Sequence, residues 1–253
     1  MFTVSLPVML PPERSFFHDN QVAVPLLEGK FSLTCDPHQL DFPTLLRISG
    51  FESEEEAKKF IQSVIHSLRW ASTERGFSIS PSTADVATTT EKLFDGSAPV
   101  VFSSILNSQA YRAKATVLHG EHIYHLANVL NDALARDIPK KLQADKQLRL
   151  AFELFADVEF VGGTNARFVV LTTVLESLVP KGTSKKGKRG AVVGLVKATL
   201  TKAGHKDPKA VGKEVDNLYM ARNNLIHDGV PVSKAQFDSL RTIVRDVLKV
   251  LVD

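Results

Sequence analysis

The sequence predicts an α+β protein, with a small α+β region over residues 1–110 followed by an all-α helical bundle over 111–253. Two observations carry this. The N-terminal region holds short segments rich in Val, Leu, Phe and Thr, divided by turn formers, which is the pattern of strands. From Tyr111 onward the apolar residues instead recur at helical spacing, with capping residues and prolines marking where each helix starts and stops.

Residues 2–10, 21–27, 30–35 and 44–48 read as strands, separated by Pro11-Pro12, Glu28-Gly29 and Asp36-Pro37. The stretch Leu26-Leu27-Glu28-Gly29-Lys30-Phe31 is the hairpin candidate. After Ser49-Gly50, Ser53 reads as a helix cap with Glu56 completing a capping box, and Ala57, Phe60, Ile61, Val64, Ile65 and Leu68 form one apolar stripe to cover the strands. Weaker strand signals follow at 77–80 and 100–102, with a Ser/Thr-rich loop expected over 80–90. In the second half, Ile123, Leu126, Ala127, Leu130 and Leu134 mark a helix that stops before Pro139. Leu148, Ala151, Phe152 and Phe155 mark the next, and Asn165 opens a third that carries Phe168, Leu171 and Leu175 and closes at Pro180. The lysine-rich stretch 181–189 reads as a loop, and a helix runs from about Gly190 through Val192, Val196 and Leu200. Asp207-Pro208 pairs a cap with a first-turn proline and starts the next helix; Ser233 with Gln236 starts the last.

At 253 residues and 43% hydrophobic content the chain can bury a core without staples. Its single cysteine, Cys35, forms no internal disulfide and reads as a small strand residue. The N-terminus carries no basic leader, and no window reaches the ~18 apolar residues of a membrane span, so a soluble cytoplasmic protein is expected. The formal net charge is only +3, but residues 181–213 hold ten Lys and Arg against one acid, Asp207, which leaves −6 for the rest. Such asymmetry is the footprint of a polyanionic partner, or of a solvated lysine-rich loop.

One stretch sets strong catalytic residue types inside an ordinary helical pattern: Arg222-Asn223-Asn224-Leu225-Ile226-His227-Asp228-Gly229. Arginine is a permanent cation suited to phosphate, and histidine can both take and give a proton near neutral pH. At ~100° per residue Asn223 and His227 share a helix face, whereas Arg222 and His227 stand ~140° apart. Gly229, followed by Pro231, places His227 in the last turn.

A late helix ending in Arg222-Asn223 and His227 resembles the HEPN superfamily, whose hallmark is an Arg, commonly followed by a polar residue, and a His four to six residues on. The helix from Ala166 to Leu178, followed by a basic loop, is similar to that of Apea-like HEPN proteins. The resemblance spans roughly 111–253. It implies a metal-independent, cofactor-free endoribonuclease, a toxin or antiviral defence effector, that works as a homodimer with the two motif helices facing each other. Attack of an RNA 2′-hydroxyl on the neighbouring phosphorus would use His227 for proton transfer and Arg222 to offset phosphoryl charge, with Asn223 orienting either. Lys185, Lys186, Lys188 and Arg189 are the residues expected to hold RNA. The 1–110 region is the expected sensor or contact for an inhibitory partner. Where part of the superfamily has Tyr two residues after the His, this chain has Gly229. An inactive RNA- or nucleotide-binding module and a protein-interaction scaffold stay open as alternatives.

Other constellations are weaker. His119, His122 and His125 drift around a helix and have no acidic partner fixed by spacing, so no metal site is expected. Thr183-Ser184-Lys185-Lys186-Gly187-Lys188 lacks the order of a phosphate-binding Walker A loop. Trp70 and Tyr111 read as core.

Overall fold

The computed structural model describes residues 2–9, 23–36, 44–73, 80–81, 89–94, 97–101, 120–158, 161–180, 182–183 and 187–253. The fold is α+β, and its contacts divide the chain into two compact units, 1–140 and 141–253.

The first unit is an antiparallel sheet with two helices. Strands β1 (Phe2–Met9), β2 (Val24–Leu26), β3 (Phe31–Asp36), β4 (Thr44–Phe51), β6 (Thr89–Phe94) and β7 (Ser97–Val101) lie in the order β2-β3-β4-β1-β6-β7, with the short β5 (Ser80–Pro81) also on β1. Alternation fixes the register: Val24 faces Leu33, Leu26 faces Phe31 and Leu33 faces Ile48, and all five are buried. Helix α1 (Glu54–Ala71) brings Ala57, Ile61, Val64, Ile65 and Leu68 into the same core. Phe31, Phe51 and Phe60 meet there with ring centroids 4.5–5.5 Å apart. The Ser53 hydroxyl accepts from the Glu56 amide as expected, but the Glu56 carboxylate accepts from the Glu52 amide and from Lys30 Nζ, so the capping box is not closed.

The β2–β3 turn departs from turn propensities. Leu27 and Glu28 have φ of 49° and 58°, the type I′ pattern usually made by Asn-Gly. Asn131 of helix α2 (Gly120–Ala135) accepts from the Leu27 amide at 2.9 Å and pins the turn. Accordingly α2 packs on α1, β2 and β3. The division between compact units therefore falls at 140/141, whereas the sequence-based boundary at 110/111 groups α2 with the bundle. The three-histidine stretch opens α2: His122 and His125 are in its first turns, and His119 lies outside the described residues. Among the described residues no group of His, Cys, Asp or Glu is arranged to hold a metal, and no helix is long and apolar enough to cross a membrane. Trp70 is buried, with the Arg136 guanidinium 5.3 Å from its ring centroid; Tyr111 lies outside the described residues.

The second unit is helical. After α3 (Ile138–Ala144), whose Pro139 sits in the first turn, come α4 (Lys146–Asp157), α5 (Thr164–Ser177), α6 (Lys188–Lys202), α7 (Pro208–Asp228) and α8 (Lys234–Val252). Phe152, Phe168, Leu171, Leu175, Val196, Val215, Leu240, Val244 and Val247 form its core. Caps place the helices: Asp145 for α4, Asp207 for α7, and a complete Ser233/Gln236 capping box for α8. Asn165 does not cap α5, whose N-cap is Gly163. Its side chain instead accepts from the Val232 amide at 3.1 Å and ties the segment after α7 to the start of α5.

Candidate functional site

Helix α7 carries the motif. It runs unbroken through Asp228 and stops at Gly229, which takes the left-handed conformation (φ 68°). The amides of Gly229 and Val230 both return to the Asn224 carbonyl, so the last turn closes on the motif itself. Five residues of unbroken helix separate Arg222 from His227, about 7.5 Å of rise and ~140° of rotation. The two side chains therefore leave different sides of α7.

Arg222 shares its side of the helix with the core. Val215, Leu218 and Tyr219 are buried, and Arg222 is half-buried. Its Nη1 donates to Asn223 Oδ1 at 3.2 Å, while its buried Nε finds no acceptor among the described residues. Asn223 thus orients the arginine; no bond between Asn223 and His227 forms among the described residues. A buried guanidinium N–H without an acceptor is an uncommon and costly state.

Behind Arg222 lies a pair that the sequence does not display. Tyr219, one helical turn earlier, donates its hydroxyl to Glu176 Oε1 of α5 at 3.1 Å. Burial, and then the charge of Glu176, push the Tyr219 phenol well above its ordinary range, with Arg222 opposing them. Glu176 also approaches Lys188 Nζ at 3.8 Å. The only advance signal was the spacing of Tyr219 three residues before Arg222; Glu176 had none.

His227 is exposed and makes no side-chain hydrogen bond among the described residues. Its helical neighbours Asn223, Asn224 and Asp228 are polar. Met220, Ile226 and Val230 are 48%, 46% and 51% exposed; Met220 and Ile226 stand about 120° apart on α7, and Val230 lies just past its end.

The four basic residues expected to hold RNA divide. Lys185 and Lys186 lie outside the described residues. Lys188 and Arg189 are not in a loop but form the first turn of α6. Arg189 grips Asp216 of α7 through Nε and Nη2, each at 2.5 Å; these bonds hold the Asp216 carboxyl below the usual carboxylate range. Both cations thus have carboxylate partners within the bundle. No family model, curated protein or solved structure matches the chain.

Proposed function

We propose that the protein is a metal-independent endoribonuclease of HEPN type, active as a homodimer in which the α7 helices of two copies face each other. The observation that carries this is the divergence of Arg222 and His227 on an unbroken helix, with His227 exposed and Met220, Ile226 and Val230 also exposed on the second half of α7 and just past it. A site using both residues is assembled most simply across a two-fold axis, where the apolar residues supply the contact and each chain meets its copy. In the reaction, one His227 takes the proton of the RNA 2′-hydroxyl as that oxygen bonds to phosphorus. The bond from phosphorus to the 5′-oxygen breaks, and the second His227, protonated, returns a proton to the leaving oxygen. The products are a 2′,3′-cyclic phosphate and a 5′-hydroxyl. Arg222, oriented by Asn223 and with Nε unmatched, offsets the charge that builds on the non-bridging oxygens. The need for a 2′-hydroxyl excludes DNA as substrate.

The test is RNA cleavage in excess chelator. His227→Ala is expected to lower the rate by ~100- to 10,000-fold, the worth of a general acid or base. Met220→Glu is expected to give a folded monomer by sedimentation that no longer cleaves. Equal cleavage by wild type and His227→Ala refutes the assignment, and RNA retention without cleavage by wild type returns the chain to the binding-module alternative.

A further inference from the structure

Beyond Lys188 and Arg189, the α6–α7 hairpin presents a further cationic surface. Lys197, Lys202, Lys206, Lys209 and Lys213 are all exposed, and none of them forms an ion pair among the described residues. The carboxylates nearest in sequence are committed elsewhere. Asp207 caps α7 through the Ala210 amide at 2.9 Å, Asp216 is held by Arg189, and Glu214 accepts from the Ser239 hydroxyl. Lys197 reaches this face because Gly212 leaves room for its stem: a Cβ at Gly212 would lie 2.6 Å from Lys197 Cγ and Cδ.

The placement of these lysines works against the local fold. Lys209 stands in the first turn of α7 with Lys206 just before it, and no acid occupies that turn. Cations there oppose the helix macrodipole, which the Asp207 carboxylate at the N-cap offsets. Along α7, Lys209, Lys213, Asn224 and His227 fall within an arc of about 60° at 100° per residue, and all four are exposed, with Met220 of the proposed dimer contact between the two pairs. The stripe runs about 27 Å from Lys209 to His227 at 1.5 Å per residue.

We propose that this stripe, led by Lys206, Lys209 and Lys213 with Lys197 beside it, is a track for the phosphate backbone of an RNA strand that ends at His227. The inference rests on the endoribonuclease reading for its direction and names how that site receives its substrate. A membrane surface is the poorer fit, because no exposed large apolar residue of α7 stands among Lys206, Lys209 and Lys213 to enter a bilayer; Met220 and Ile226 lie about two turns or more further along.

The experiment measures binding of a fluorescent single-stranded oligouridine across a salt series, with His227→Ala as the parent so that cleavage plays no part. Neutralising three phosphate contacts with Lys206→Gln, Lys209→Gln and Lys213→Gln should lower the slope of log K against log salt by about 2, at roughly 0.7 per contact on a single strand. The same count of substitutions at Lys59, Lys146 and Lys234 should leave the slope unchanged. The thermal midpoint of the hairpin variant should hold or rise, since cations leave a helix N-terminus. An unchanged slope, or a control variant that loses as much, overturns the track. So does equal binding of phosphatidylserine vesicles that the same three substitutions abolish. If the slope falls while wild type and His227→Ala cleave alike, the track stands and the enzyme reading falls; if wild type cleaves and the slope is unmoved, the reverse holds.

Discussion

Tyr219 is a titratable group whose effect on the second unit can be worked out with its sign. Its hydroxyl is buried and donates to Glu176, so the folded state holds the phenol neutral and its pKa is raised above the unfolded value of about 10. A raised folded pKa means that the stabilisation is fully present below the unfolded pKa and is lost as pH rises toward the folded one. Above about pH 10 the unfolded chain releases a proton that the folded chain keeps, and stability should fall by about 1.4 kcal/mol for each further pH unit from this group. Tyr219→Phe removes both the hydrogen bond and the titration. At neutral pH the variant should be less stable by about 1.5–3 kcal/mol, the range for a hydrogen bond to a charged acceptor.

The two effects have opposite consequences for the difference between the proteins. The gap between wild type and Tyr219→Phe should be constant up to about pH 9.5 and then close, reaching zero within one to two pH units above 10. Urea unfolding followed by circular dichroism over pH 7 to 11.5 measures this directly. Deprotonation of lysines with no contact to Glu176 weakens both proteins equally and so cancels in the difference. Tyrosinate absorbance supplies a second readout, because the Tyr219 phenolate should appear only with unfolding. Curves for the two proteins that fall in parallel through pH 11 would refute the coupling of Tyr219 to Glu176.

Gly229→Ala should cost about 1–2 kcal/mol, the penalty for an ordinary side chain in the left-handed region, since a Cβ there meets nothing within 4 Å and only the backbone is strained. Gly229→Asn should cost much less, and equal losses in thermal or urea unfolding would show that the φ of 68° is not what matters. Asn165→Ala leaves the amide of buried Val232 without its acceptor and should cost about 1–3 kcal/mol. Hydrogen exchange at Val232 should then accelerate more than at the α8 core amides; uniform acceleration would mean that the bond is not a local tie.

The parts of the fold legible in the sequence were those written in a few adjacent residues. Asp207-Pro208, Ser233 with Gln236, and Gly229 each name a helix end by chemistry that acts within one turn, and each end falls where that chemistry puts it. Signals with two meanings told less. Pro139 does follow the end of α2 at Ala135, but a proline is equally at home in a first turn, and the short α3 that it helps to begin carries no signal of its own. The stretch Thr89–Phe94 is a strand despite its Thr-Thr-Glu-Lys polarity, because pairing with β1 and β7 decides it rather than composition. Leu27 and Glu28 hold positive φ because Asn131, 104 positions away, accepts from the Leu27 amide.

The candidate site divides along the same line. That Arg222 and His227 leave different sides of α7 follows from ~100° per residue and needed no coordinates. What surrounds them depends on contacts between helices: Tyr219 meets Glu176 across 43 positions, and Arg189 meets Asp216 across 27. The second contact bears on the electrostatics. A run of ten basic residues over 181–213 establishes an excess of charge, but not which charges stay free, because a sequence does not show which carboxylates fold back onto which cations. Lys188 and Arg189 have partners within the bundle, whereas Lys197, Lys202, Lys206, Lys209 and Lys213 have no ion-pair partner among the described residues. Unneutralised cations, rather than the densest stretch of basic residues, set the potential that a polyanion meets. Within the described part of 181–213, the charge left unneutralised therefore lies on the α6–α7 hairpin.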